Sequence, residues 1–267
     1  MTIDYNVYPS ILDSYTRYKS SDQIYDKIWG FSQAPSKTRE EFLEEQLQDF
    51  LDALNRVPFE SVYADLGTAY NDVVDEAIIG ERRGESAIVK IENNAITATL
   101  RGRDYVFPID MVDFLKDRFD TSTPQVFVSG DLETNNGNVR LYGYLDELMP
   151  FSVHDIKVTH RYEPWKFKGN AQHLVYPYCL VQMDLCDPYL FQYDIMEVRS
   201  NAKDLEKSQA PKSEPCIVTS WEYHQEQYGF YYDLAKEELK KRCEDFIDWI
   251  EEHADLINNP KLFGQDS

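Results

Sequence analysis

Gly143-Tyr-Leu-Asp146, Asp155-Ile-Lys157 and Gln172-His-Leu-Val-Tyr176 decide how this chain is read. The first two place two carboxylates and a lysine on adjacent extended segments. The third opens a helix that carries a polar pair on one face. Side chains alternate across a strand, so Asp155 and Lys157 point one way and Ile156 the other. Asp146 ends the preceding segment and returns beside them through a reversal at Met149-Pro150. Two carboxylates placed there give Mg²⁺ or Mn²⁺ hard oxygen ligands, and the Ile156 carbonyl can add a third. A lone D-x-K pattern occurs by chance in many chains as a same-face ion pair on an exposed strand. Three motifs in this order, each on its own element, form a more specific signal.

The surrounding sequence gives these motifs a framework. Residues 126–132 and 139–146 read as strands joined by Asn135-Asn-Gly-Asn138, a hairpin turn signal. Residues 152–158 predict a third strand, 171–183 a helix, and 189–198 and 216–223 two further strands separated by a polar hairpin loop. Upstream, Ser10 is a candidate N-cap for a helix ending near Tyr18. Residues 39–54 repeat apolar side chains at helical spacing (Phe42, Leu43, Leu47, Phe50, Leu51, Leu54), and a second helix is expected over 61–79. Strands are expected over 87–91, 95–100 and 104–109, turning at Asn93-Asn94 and Arg101-Gly102-Arg103. A short helix is expected over 111–119 and a closing one over 237–254, followed by a frayed tail. This order predicts an α/β fold with a mixed central sheet flanked by helices. One domain over 1–267 is the simplest division, with a helical part (1–60), a core (61–230) and a closing helix and tail (231–267).

Composition narrows the function. The chain has 267 residues, 42% hydrophobic and 28% charged, as expected for a soluble protein. No apolar run approaches the ~20 residues needed to span a bilayer, and the N-terminus lacks the pattern of a secretory signal. Cytoplasmic location and no membrane partner are therefore expected. Cys179, Cys186, Cys216 and Cys243 show no C-x-x-C pairing and read as reduced thiols. The net charge of −21 opposes nucleic-acid binding, which normally leaves a basic footprint. A local exception runs from Lys157 to Lys168, where Lys157, Arg161, Lys166 and Lys168 face only Glu163. Arg161, Lys166 and Lys168 are the candidate nucleic-acid contacts. Tyr162, Trp165 and Phe167 interleave with them, suiting either base stacking or ordinary loop packing. Much of the acid falls in 39–54 and 233–255 and reads as solvated helix faces, with mimicry of DNA or docking of a basic partner as the sharper alternative.

The motifs resemble the PD-(D/E)XK nuclease superfamily, and within it the RecB-like and Cas4-like exonucleases. Gln172-His-Leu-Val-Tyr176 resembles the Q-h-x-x-Y helix of that branch, whose glutamine and tyrosine share a face one turn apart. Gly67-Thr-Ala-Tyr-Asn71, continuing to Asp75, resembles its G-T-x-x-H-x-x-x-E helix, and Ser10-Ile-Leu-Asp-Ser-Tyr15 its N-terminal S-x-L-x-x-Y helix. The resemblance spans about Tyr8 to Tyr178 and implies a restriction-endonuclease-like core. It implies a Mg²⁺- or Mn²⁺-dependent nuclease acting on DNA, working in recombination, repair or phage and mobile-element processing. Asp146, Asp155 and the Ile156 carbonyl would ligate the metal, Lys157 would steady the charge on the phosphorane, and Gln172 and Tyr176 would touch the active site or the DNA. Asn71 stands where the family has histidine; its side-chain carbonyl remains a hard donor. No cysteine closely follows Tyr15, so no iron–sulfur cluster is expected.

Further acids are candidates on register alone: Asp131 and Glu133 share a face, so either could reach the metal. His154 and His173 read as structural. The competing function is a nuclease fold kept as a non-catalytic binding or assembly module, or an acidic DNA mimic. Either would act through a protein partner or a homo-oligomer.

Overall fold

In the computed structural model, residues 2–32, 34–80, 84–92 (87–92 as backbone only) and 94–264 are described. Strand β1 (Tyr5–Val7) leads into helices α1 (Pro9–Lys19), α2 (Ser21–Trp29), α3 (Arg39–Leu54) and α4 (Val62–Ile79). Strands β2 (Ala87–Glu92), β3 (Ala95–Leu100) and β4 (Arg103–Pro108) precede α5 (Ile109–Arg118). Strands β5 (Thr123–Thr134), β6 (Gly137–Met149) and β7 (Ser152–Thr159) lead to α6 (Gln172–Gln182). The chain continues through β8 (Leu190–Ser200), α7 (Ala202–Ser208), β9 (Cys216–Gly229) and α8 (Tyr232–Glu252).

The strands form one mixed sheet in the order β1-β6-β7-β8-β9-β4-β3-β2, with β5 on the far edge of β6. The β5–β6 hairpin turns at Asn135-Asn136, and Gly137 (φ 132°) takes a backbone conformation closed to other residues. Strands β1 and β7 share one edge of β6. The first pairs in parallel at Tyr5↔Val139 through Val7↔Leu141, the second antiparallel at Glu147↔His154 through Met149↔Ser152. Residues 142–146 lie between these two ladders.

Helices cover both faces of the sheet. On one, Phe50 of α3, Val175, Cys179 and Leu180 of α6, and Cys243, Phe246 and Ile250 of α8 pack on Leu141, Leu145, Val153, Phe191 and Ile195. On the other, Leu66, Tyr70 and Val73 of α4 and Met111 and Leu115 of α5 pack on Phe107, Ile156, Met196, Val198 and Cys216. Helix α3 begins with a capping box between Thr38 and Glu41, worth about 1 kcal/mol. Its apolar stripe meets α8 where Phe50 and Trp249 pack edge to face at 4.8 Å. The acidic positions Glu40, Glu44 and Glu45 of α3 face solvent. Among the described residues, no helix is long and apolar enough to cross a membrane.

Several expectations need correction. Tyr8, not Ser10, is the N-cap of α1, because Pro9 takes the first helical position, where its missing N–H costs nothing. The segment expected as a long polar loop before Cys216 holds α7, which buries Ala202 and Leu205. Helix α8 starts at Tyr232, five residues before the expected Glu237. The tail is docked rather than frayed as far as Gly264. Asn259 donates to the Leu54 carbonyl at 2.9 Å, and Phe263 bridges to Tyr5. Strand β1 and helix α2 were not foreseen. Asn93 of the expected Asn93-Asn94 turn lies outside the described residues; Asn94 has φ 63°.

Candidate functional site

Where β6 and β7 part, the site begins. Their ladder runs from Met149↔Ser152 to Glu147↔His154, so Asp146 and Asp155 would form the next rung. The strands diverge there instead, and the Asp146 carboxylate fills the gap. Its Oδ2 accepts the Ile156 N–H at 2.7 Å. A strand residue directs its N–H and C=O to the same edge, so the Ile156 carbonyl also faces this gap.

Asp155 and Lys157 project from β7 toward α6. Lys157 Nζ lies 2.6 Å from Asp155 Oδ2, and Gln172 Nε2 donates to Asp155 Oδ1 at 2.5 Å. Gln172 can reach because α6 starts there, and Asp13 of α1 holds that start by accepting the Ala171 N–H at 2.6 Å. One turn on, Tyr176 lies against the backbone of Gly143. A Cβ at Gly143 would sit 2.8 Å from Tyr176 Cε1, so the glycine is what admits the ring. On the other side, Asn71 of α4 donates to Asp146 Oδ2 over a long 3.4 Å, while its Oδ1 is buried with no hydrogen-bond partner. Asp75, one turn along the same helix, is buried with 2% exposure.

The electrostatics follow from burial. Removal from water pushes the Asp146 carboxyl well above the usual range, and the nearby Asp155 pushes it further. Asp155 is raised chiefly by burial, against the pull of Lys157. Burial pulls Lys157 down, but Asp155 and Asp146 more than offset this and hold the ammonium charged. Asp13 is pushed up to about 6, mainly by burial. The Tyr176 phenol is raised far out of the physiological range, again mainly by burial. Two buried carboxylates therefore share one lysine, and a further cation would be stabilised there.

The donors present fit a hard divalent ion. Among the described residues no three His, Cys, Asp or Glu side chains are grouped tightly enough to ligate by themselves. Asp146, Asp155, the unpartnered Asn71 Oδ1 and the Ile156 carbonyl would instead be the donors, an all-oxygen set of two carboxylates and two neutral groups. That set suits Mg²⁺ or Mn²⁺.

Other sequence candidates fall elsewhere. Asp131 is taken up in a two-pronged pair with Arg140, and Glu133 lies opposite Asn138 near the hairpin tip. Counted along β5 from the position opposite Asp146, Asp131 is about 20 Å away, which removes both as ligands. His154 sits on the opposite face of β7, with Nδ1 2.7 Å from Asp194 Oδ2. Asp194 is fully buried and also accepts from Arg118, Gln192 and Tyr223. His173 stacks on Tyr228 at 4.7 Å. Arg161, Lys166 and Lys168 are exposed on the β7–α6 loop. Arg161 pairs with Glu163 at 3.2 Å, and Lys166 Nζ donates to Thr159 at 2.9 Å. With Tyr63 and His160, Arg161 and Lys166 line a cavity of about 370 Å³. Of the loop aromatics only Trp165 is exposed; Tyr162 stacks on His224 and Phe167 packs against Tyr193.

Three residues at or beside the site were missed. Asp13 lies inside the Ser10–Tyr15 stretch, but the motif gives weight to its neighbours. Tyr193 of β8 is buried beneath Lys157, with its hydroxyl unpartnered; on sequence it looks like any core aromatic. Arg56 belongs to none of the sequence motifs. It lines a cavity of about 1060 Å³ that opens onto Gly143, Gln172 and Tyr176. A scan against protein-family models and a search of the curated proteins both return no match to this chain.

Proposed function

We propose that the protein is a metal-dependent nuclease that hydrolyses DNA phosphodiester bonds, built on a restriction-endonuclease-like core of the PD-(D/E)XK type. The observation that carries this reading is the divergence of β6 and β7. It gathers Asp146, Asp155, Lys157 and Gln172, from three separate stretches, around one oxygen-lined gap. The large cavity beside that gap gives a polymer room to approach.

Bound Mg²⁺ or Mn²⁺ would polarise the phosphate and lower the pKa of a coordinated water. Asp146 and Asp155 would hold that charge, and Ile156 and Asn71 would complete the donor set. Lys157 places a permanent positive charge where negative charge builds on the phosphorane. Gln172 fixes the Asp155 carboxylate so that its orientation is set before substrate arrives. Exonuclease action in recombination, repair or phage and mobile-element DNA processing is the form this reading takes by family resemblance.

The test is degradation of linear DNA by purified protein with Mg²⁺ or Mn²⁺. Asp146→Asn, Asp155→Asn and Lys157→Ala should each lower the rate by at least about 10²-fold. Full activity in Asp155→Asn overturns the proposal. One observation favours a second reading, a non-catalytic binding module: Lys157 already neutralises Asp155 at 2.6 Å, leaving the pair closed on itself. Calorimetric titration with Mn²⁺ separates the two, since a module of that kind shows no binding that Asp146→Asn abolishes.

A further inference from the structure

The chain carries 27 basic residues against 48 acidic ones, so a polyanionic substrate needs cations that are not already spent. Among the described residues, six of the ten arginines are paired with carboxylates. Arg39 pairs with Asp22 and Asp26, Arg101 with Asp65 and Glu85, Arg118 with Asp194, Arg140 with Asp131, Arg161 with Glu163, and Arg242 with Glu238. Arg17, Arg56, Arg103 and Arg199 have no carboxylate among the described residues within 4 Å, and of these four Arg56 is the one that lines the cavity reaching Gln172 and Tyr176. Its Nη2 donates to the Tyr142 hydroxyl at 2.7 Å, and its guanidinium lies 5.0 Å from the centre of the Tyr8 ring.

The backbone holds this side chain in place. Arg56 has φ 52°, the left-handed region that costs a non-glycine residue free energy. The end of α3 is tied down just before that turn. Asn55 donates to the Leu256 carbonyl at 3.0 Å and accepts the Asn258 N–H at 2.6 Å, and Asn259 donates to Leu54. The guanidinium is thereby fixed on the wall of the 1060 Å³ cavity, which Gln172 and Tyr176 also line. Of the carboxylates that share this wall, Asp65 pairs with Arg101 and Glu60 with Lys212, while Asp52 accepts from the neutral Gln48 amide and keeps its charge. The cavity also exposes Phe59 and Tyr144, at 71% and 59% of their surface, as flat apolar faces beside the cation.

We infer that Arg56 is a phosphate-binding residue of this cavity. It would grip the backbone of a nucleic-acid strand outside the gap that holds Asp146 and Asp155, with bases resting on Tyr144 and Phe59. An arginine fork held by an aromatic ring and a phenol keeps its remaining N–H groups free for two phosphate oxygens. The cavity exceeds what one nucleotide fills, being at the upper end of the ~300–1,000 Å³ range of small-molecule pockets. This rests on the nuclease reading and adds where the strand is held.

The test uses full-length Asp155→Asn protein as parent, in Ca²⁺, with fluorescein-labelled single-stranded and duplex DNA oligonucleotides read by anisotropy across a salt series. Adding Arg56→Gln should weaken binding about tenfold for every sequence. It should also make the slope of log K against log salt shallower by about 0.7–0.9, the mark of one lost phosphate contact. Arg56→Lys should keep the slope and recover part of the affinity. Tyr142→Phe loosens only the guanidinium and leaves the turn intact, so it should weaken binding by a few fold with the fold unchanged. Equal affinity and slope in parent and Arg56→Gln overturn the assignment and leave the nuclease reading standing. The assignment also fails if Arg161→Gln produces the loss and Arg56→Gln does not. A parent that binds no oligonucleotide overturns both.

Discussion

Gly143→Ala probes the contact that lets α6 approach the site. Two effects of opposite sign compete. Alanine restricts the unfolded chain and, with nothing in its way, would stabilise the protein by roughly 0.4–1 kcal/mol. Here its Cβ meets Tyr176 Cε1 at 2.8 Å. Reaching ordinary carbon–carbon contact requires the ring to withdraw by roughly 0.7 Å. Tyr176 is buried and flanked on α6 by Val175 and Cys179, both fully enclosed, so it has little room to move. Overpacking of this kind costs about 1–3 kcal/mol, and the clash wins. The net expectation is a loss of about 1–2 kcal/mol, seen as a lower urea midpoint with an unchanged slope. Withdrawal of Tyr176 also drags Gln172, one turn away, from its 2.5 Å bond to Asp155, so under the proposed nuclease function the rate of DNA degradation should fall by one to two orders of magnitude. Tyr176→Ala as a background removes the obstacle, and Gly143→Ala should then be neutral or stabilising. A destabilisation of the same size in both backgrounds refutes the reasoning, because the cost would then not come from the ring.

Two further outcomes follow. Lys157→Met should destabilise the protein by about 3 kcal/mol, since it strands Asp155 (side chain 3% exposed) without its cation. Thermal unfolding should show the double variant Asp155→Leu, Lys157→Met recovering much of that loss, and a single variant as stable as the double would contradict it. His173 is pushed down to about 4, chiefly by burial and then by Arg242, and its Nδ1 is buried with no partner. A depressed histidine binds its proton in the unfolded chain first, so stability present above pH ~6.5 is lost as pH falls toward 4, by up to roughly 3 kcal/mol. His173→Phe should flatten that part of the stability–pH curve. An unchanged curve in the variant would assign the acid sensitivity to other groups.

Local patterns decided much of this protein in advance. Alternation and the Asn-Gly turn made β5 and β6 a hairpin, helical spacing defined α3 to its ends, and the D-x-K register put Asp155 and Lys157 on one face. These features depend on chain neighbours, whose geometry is fixed by the two backbone angles of each residue. The tertiary structure decided what lies far apart in sequence. It parted β6 from β7 at the rung where Asp146 would have paired, and it sent Asp131 and Glu133 to the wrong end of the hairpin. It let α6, a helix expected from sequence over 171–183, run through Pro177, at a cost of about 3 kcal/mol that burial of Val175, Tyr178, Cys179 and Leu180 offsets. It docked the tail on α3 and so fixed Arg56, and it brought Asp13 and Tyr193 beneath the lysine. No window of sequence carries those distances, because they are set by the packing of whole elements and by which polar groups find partners once water is gone.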